Sequence, residues 1–244
     1  MARTFIFDHM QFVPISFGRY FASKAKSNTV KYLRRQMKDE FAVKAREHSY
    51  RARSAFKLIE IDDRFEMLKP GMTVLDVGCA PGSWCQVVVE RCCLDERTST
   101  GYLLGVDLQV VSPIPGADIL SMSDITTSTT QQLISKKLNG RPVDVVLSDM
   151  APSPSGDPAT DHIRLTNLCR TVFQLFAPSD GSKDLPIFSL SSDGSFLCKM
   201  WDGIERKSFM VELLKYFRNV RTVKPKSSRD SSAELYLLCT GRNK

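Results

Sequence analysis

The chain has 244 residues, 42% of them hydrophobic, with 34 Lys and Arg against 27 Asp and Glu for a formal charge of +7. That length and hydrophobic fraction allow one domain with a large core, and a pI near 9.1 favours an acidic partner such as nucleic acid. No uninterrupted apolar run of about 18 residues predicts a membrane span, and the seven cysteines and three histidines lack a C-x-x-C pair or other metal-site spacing. Neither a metal nor a disulfide is therefore expected, and the cysteines read as small core residues of a reducing compartment.

In chain order, the first segment, MARTFIFDHMQFVPISFGRYFASKAKSNTVKYLRRQMK, has Asp8 as its only acid amid many cations, aromatics and serines. This pattern predicts a mitochondrial targeting leader over residues 1–30, cleaved between Phe17 and Ser27, with delivery to the matrix. The alternative is a disordered basic arm that touches RNA. Beyond Tyr50, SAFKLIEIDDRFEML places Leu58, Ile61, Phe65 and Leu68 at helical spacing, ending at Lys69-Pro70-Gly71.

TVLDVG then reads as a strand, a small-residue loop follows, and SWCQVVVERC reads as a helix. GYLLGVDL and the short ADIL are strands, SDITTSTTQQLISKKL a loop and helix, and VDVVLSDM a strand. DHIRLTNLCRTVFQLF is a helix, GSFLCKM a strand, KSFMVELLKYF a helix, and VRTVKP and AELYLLCTG are closing strands. This alternation predicts an α/β fold with a mostly parallel seven-stranded sheet, helices on both faces and an antiparallel last strand. Ala177 to Gly194 reads as a Ser/Pro/Asp-rich surface loop.

The loop after the first strand, Gly78, Ala80, Pro81, Gly82 and Ser83, is small enough to let a ligand lie against backbone at a strand's carboxyl end. Its spacing, D-x-G-x-A-x-G from Asp76, lacks the dinucleotide fingerprint G-x-G-x-x-G. Asp107, at the tip of the next strand, could accept from both ribose hydroxyls. Asp124 could reach an adenine amino group and Ile125 could pack on the ring. These residues favour S-adenosylmethionine over a nicotinamide cofactor. Asp76 as a turn cap, Asp124 as a helix N-cap and Trp84 as ordinary core are the alternatives.

Four polar residues stand where a purely structural account is strained. Lys57 lies one position off its helix's apolar stripe, Asp149 ends an apolar strand, Lys199 interrupts SFLCKM, and Glu234 opens the last strand. With YRARSAFKL, LDVGCAPGSW, VLSDMAPSPSG, DHIRL and GSFLCKM occurring in order, the chain resembles the FtsJ-type RNA ribose 2′-O-methyltransferases. The resemblance spans about residues 45 to 241 and is greatest to mitochondrial members acting on a uridine of large-subunit rRNA.

The resemblance implies a Rossmann-like methyltransferase domain over 45–244 and a Lys57–Asp149–Lys199–Glu234 tetrad. It also implies cofactor contacts at Gly82, Trp84, Asp107, Asp124 and Asp149. Ser83 departs from the bacterial members, which usually carry a second glycine there. The expected chemistry is in-line placement of the ribose 2′-hydroxyl against a sulfonium methyl, with Lys199 as base or as cation for the forming oxyanion. Asp149 would orient Lys199, and Glu234 would hold Lys57 or the ribose.

Arg35, Lys38, Arg46, Arg51 and Arg53 are the expected phosphate contacts, with Tyr50 as a base-stacking or core residue. The expected partner is large-subunit rRNA or its precursor, bound by a monomer, in support of ribosome assembly. The alternatives are a methyltransferase for transfer RNA or capped RNA, and a non-catalytic RNA-binding assembly factor.

Overall fold

The computed structural model describes residues 39–177, 185–229 and 232–243. The expected leader, with Arg35 and Lys38, lies outside them. Glu40–Lys244 form one compact unit. It opens with a helix absent from the sequence expectation, α1 (Glu40–Glu47), whose Phe41 ring packs 5.7 Å from that of Phe56. The helix α2 (Ala55–Phe65) buries Ala55, Leu58 and Ile61. It stops at Phe65, short of the expected end, because Glu66 turns left-handed and the Asp62 carboxylate accepts from Leu68 N at 2.8 Å.

The remaining elements are β1 (Thr73–Val77), α3 (Ser83–Cys92), β2 (Tyr102–Val106), β3 (Asp118–Leu120), α4 (Ser128–Leu138), β4 (Val143–Ser148), α5 (Pro158–Gln174), β5 (Leu190–Trp201), α6 (Ile204–Tyr216), β6 (Phe217–Val223) and β7 (Glu234–Arg242). They form one seven-stranded sheet in the order β3-β2-β1-β4-β5-β7-β6. All pairings from β3 to β5 are parallel, and β7 runs antiparallel to both β5 and β6. The strand expectations hold, with two exceptions at the boundaries. β6 begins at Phe217, the expected end of the preceding helix, and stops at Val223, short of the end of the expected VRTVKP. β5 begins at Leu190, so the end of the expected 177–194 loop is sheet. Leu190 pairs with Val143, ahead of a register irregularity, and its side chain is buried.

Alternation along the strands divides the core into two layers. Leu75, Val146, Phe196, Cys198 and Leu237 join α4, α5 and α6 on one face. Val74, Val145, Leu197, Tyr236 and Leu238 join α2 and α3 on the other. Burial on both faces explains why β1 and β4 read as near-continuous apolar runs. All seven cysteines are free thiols, six of them buried. Among the described residues, no helix is long and apolar enough to cross a membrane, and no group of three His, Cys, Asp or Glu could hold a metal ion.

Candidate functional site

The chain runs outward from β1 to β3, then crosses back to β4. This reversal leaves a crevice at the carboxyl ends of β1 and β4, where open α/β sheets bind ligands. A cavity of about 440 Å³ occupies it, lined among others by Gly78, Ala80, Asp107, Asp124, Ile125, Asp149 and Met150. Gly78 has φ +79, and an added β-carbon there would lie 2.2 Å from Met150 Cγ; only glycine lets the loop pass so close. Asp107 is oriented by Ala80 N, which donates to Oδ2 at 2.7 Å, and by Gln109 N, which donates to Oδ1 at 2.7 Å.

Asp124 does not cap α4; Thr127 does, accepting from Thr130 N. The Asp124 carboxylate instead accepts from Thr126 N and Oγ1 at 2.9 and 2.7 Å, bonds that hold it below the usual carboxylate range. Asp76 is fully buried on the α3 side, where the Cys85 thiol donates to Oδ2 at 3.2 Å. Its Oδ1 has no hydrogen-bond partner among the described residues. Burial pushes its carboxyl up to about 7; the Cys85 bond opposes this, and the negative fields of Asp149 and Asp107 add to it.

The rest of the glycine loop turns away from the cavity lining. Pro81 is exposed, and its carbonyl accepts from Arg51 Nη1 at 3.0 Å. A β-carbon on Gly82, φ +108, would meet Ile114 and Arg51. Ser83 and Trp84 are buried and join the loop to the start of α2. The Ser54 and Ser83 hydroxyls lie 2.8 Å apart, and Trp84 Nε1 donates to Ser54 O at 2.8 Å. The residues that begin α3 therefore set the position of the helix carrying Lys57.

Beside the cavity, the four polar residues singled out in the sequence converge. Lys199 Nζ donates to Asp149 O at 2.8 Å and to Asp149 Oδ1 at 3.0 Å. Lys57 Nζ lies 2.6 Å from Glu234 Oε1, and Lys199 Nζ lies 4.0 Å from Glu234 Oε2. Sheet geometry makes this possible. β7 is antiparallel, so its first residue stands opposite the last residue of β5, Glu234 against Trp201, at the edge where Asp149 follows β4. Lys199 pairs with Tyr236, which puts both, with Glu234, on the face covered by α2.

Burial alone would raise the Glu234 carboxyl. The charges of Lys57 and Lys199 and the Ser228 hydroxyl outweigh it and hold the group below its ordinary value.

Sequence reading missed Tyr236 in this cluster. Its hydroxyl donates to Asp149 Oδ1 at 2.7 Å, its ring lies 5.7 Å from Trp84, and Lys57 Nζ sits 6.0 Å from its centroid. The available signal was period two: Tyr236 follows Glu234 on the same strand face. Asp161 was also missed. It accepts from Ser155 N at 2.8 Å and so pins the loop that leaves Asp149.

The expected RNA-contacting arginines separate. Arg46 is exposed on α1. Arg51 donates to the carbonyls of Pro81, Ser112 and Pro113, and Arg53 donates to Ser227 O. Tyr50 is tied inward, its hydroxyl donating to Glu90 at 2.6 Å and its ring edge-on to Phe56.

Residues 50–242 match the model of the FtsJ-like methyltransferase family. The chain is 57% identical over 216 residues to "rRNA methyltransferase 2, mitochondrial" of Caenorhabditis elegans, covering 88% of this chain and 95% of that protein. It is 39% identical over 225 residues to "Ribosomal RNA large subunit methyltransferase E" of Parvibaculum lavamentivorans, covering 90% of this chain and 84% of that one. The crystal structure of a Plasmodium falciparum protein described as a ribosomal RNA methyltransferase superposes with a TM-score of 0.64 at 28% identity, covering 79% of this chain and 98% of that one. The family-model match and these identities show that the chain belongs to the FtsJ-like methyltransferase family.

Proposed function

We propose that the protein transfers a methyl group from S-adenosylmethionine to a uridine ribose 2′-hydroxyl of large-subunit rRNA in the mitochondrial matrix, in support of ribosome assembly. The observation that carries the reading is the Lys57–Glu234 and Lys199–Asp149 pairing beside a cavity bordered by the same Asp149. Family membership and the names of the relatives above support the substrate and the compartment.

The cavity residues fit an adenosyl ligand. About 440 Å³ falls within the usual range for small-molecule pockets, roughly 300–1,000 Å³. Gly78 lets the loop pass close to Met150 and line the cavity, Asp107 is pre-aimed for ribose hydroxyls, and Asp124 with Ile125 suits an adenine edge and face. When bound, S-adenosylmethionine supplies an electrophilic methyl on a sulfonium.

The protein's part is placement and proton removal. Asp149 holds Lys199 Nζ by two acceptors, so Lys199 faces the ribose in one orientation, either to take the hydroxyl proton or to stabilise the developing oxyanion. Glu234 anchors Lys57 and balances the second cation. Tyr236 fixes the Asp149 carboxylate.

The test is incubation with labelled S-adenosylmethionine and large-subunit rRNA or precursor particles, followed by mapping of ribose methylation. Wild type is expected to label one uridine. Lys199→Ala is expected to lose at least about 100-fold in kcat with cofactor binding intact. Turnover retained in that variant removes Lys199 from the mechanism, and label confined to transfer RNA or capped RNA replaces the substrate.

A further inference from the structure

The fold treats the chain's two tryptophans differently. Trp84 is 2% exposed, and its indole N–H is taken up by Ser54 O. Trp201, the last residue of β5, stays partly exposed. Among the described residues its ring meets one other ring, that of His162 on α5, with centroids 6.4 Å apart. Indoles with one apolar side packed and one edge wet are enriched where proteins contact partners.

Its position ties it to the polar cluster. Trp201 stands opposite Glu234 across the β5–β7 ladder, and residues so paired have Cβ atoms about 4.5–5.5 Å apart. Glu234 in turn lies 4.0 Å from Lys199 Nζ. From there the indole reaches round the end of the sheet to pack on the core layer shared with α4, α5 and α6. The bend that follows is held firmly: Asp202 N donates to Ala233 O at 3.1 Å, and the Asp202 carboxylate lies 2.9 Å from Arg206 Nη2. A β-carbon on Gly203 would lie 2.3 Å from His162 Cε1, so the imidazole fills the space against this bend. The histidine of DHIRL thereby props the segment that carries Trp201.

In a nucleotide the base hangs from C1′, the carbon next to the one bearing the 2′-hydroxyl. With that hydroxyl at Lys199, the base lies within one sugar's width of the amine. Trp201 is the partly exposed aromatic next to Glu234 on the adjoining strand, and unpaired RNA bases are held by stacking on such rings. Building on the RNA ribose methylation proposed above, we infer that Trp201 is the platform on which the base of the methylated nucleotide stacks. Stacking tolerates any base, so this contact orients the ribose toward Lys199 and does not by itself select uridine.

The test uses an rRNA fragment bearing the mapped target, made with uridine or with 5,6-dihydrouridine at that position. Saturation keeps the polar edge of the base but puckers the ring and ends its stacking. On the uridine RNA, Trp201→Ala should raise the RNA KM about tenfold, and Trp201→Phe should restore it to within about threefold of wild type. The Kd of both variants for S-adenosylmethionine should match wild type, which also reports correct folding. On the dihydrouridine RNA, wild type should lose about as much as Trp201→Ala does on uridine, and that variant little more. Binding of the uridine RNA should also quench wild-type tryptophan fluorescence, a change absent from Trp201→Phe. An unaltered KM in Trp201→Ala, equal losses by that variant on both RNAs, or wild type indifferent to dihydrouridine would overturn the platform. Wild type that methylates no rRNA would instead overturn the function on which it rests, so the two failures are distinguishable.

Discussion

The crevice at the β1–β4 gap and the polar cluster under α2 share Asp149 but are assembled differently. The crevice takes its lining from the loops that directly follow β1 to β4. It depends on backbone approach and on short local hydrogen bonds such as Asp107 to Gln109 N. The cluster draws single side chains from a helix, a strand end and two strands 35 residues apart at Lys199 and Glu234. It depends on register: slipping β7 by one residue would turn Glu234 and Tyr236 to the far face. Substitutions in the first region should therefore move cofactor affinity, and those in the second should move turnover.

The largest effect expected from this division is at Gly78. Gly78→Ala puts a β-carbon into Met150 at a left-handed backbone position and should weaken S-adenosylmethionine binding about 100-fold by calorimetry, while RNA affinity is kept. Undiminished cofactor affinity would remove the loop from the binding site.

Tyr236→Phe deletes the hydroxyl that fixes Asp149. It should lower kcat about tenfold at an unchanged cofactor Kd; if both move together, the two regions are not separable.

Arg51→Ala sharpens the boundary. Its guanidinium bridges Pro81, Ser112 and Pro113, so cofactor affinity should fall about fivefold with the salt dependence of RNA binding intact. A shallower salt slope would make Arg51 a phosphate contact.

The smallest effect concerns pH, where the regions carry opposite signs. Asp76 is held up to about 7 from 3.8, so the folded protein keeps a proton that the unfolded chain releases between those values. Stability then falls as pH rises through that window. Glu234 is held below its ordinary 4.5, so its contribution is present above that value and is lost as pH falls through the depressed one. Asp76→Asn should flatten the decline of the thermal midpoint between about pH 4 and 7; an unchanged profile would show that Asp76 does not titrate there.

Much of this was legible before any coordinates. The helix SWCQVVVERC coincides with α3, because a glycine N-cap and an apolar face are local signals. Lys57, Asp149, Lys199 and Glu234 stood out because charge inside an apolar pattern is costly unless paired. Less legible were α1, too short and too small in its buried side chains (Ala42 and Ala45) to show a clear stripe, and the true start of β5, where Ser191 to Gly194 imitate a loop. Tyr236 escaped notice because an aromatic within a β-strand is unremarkable until its hydroxyl is seen to meet Asp149.

The sequence by itself determined the element order, the doubly covered parallel sheet and the small-residue loop at β1, since each follows from periodicity or from the steric size of neighbouring residues. Only the tertiary structure decided that Arg51 clamps that loop, that Ser83 and Trp84 brace α2, and that the Asp149 carboxylate accepts from Tyr236. Those outcomes depend on which distant backbone groups arrive within hydrogen-bonding distance, a matter of sheet register and chain crossing that no local pattern encodes.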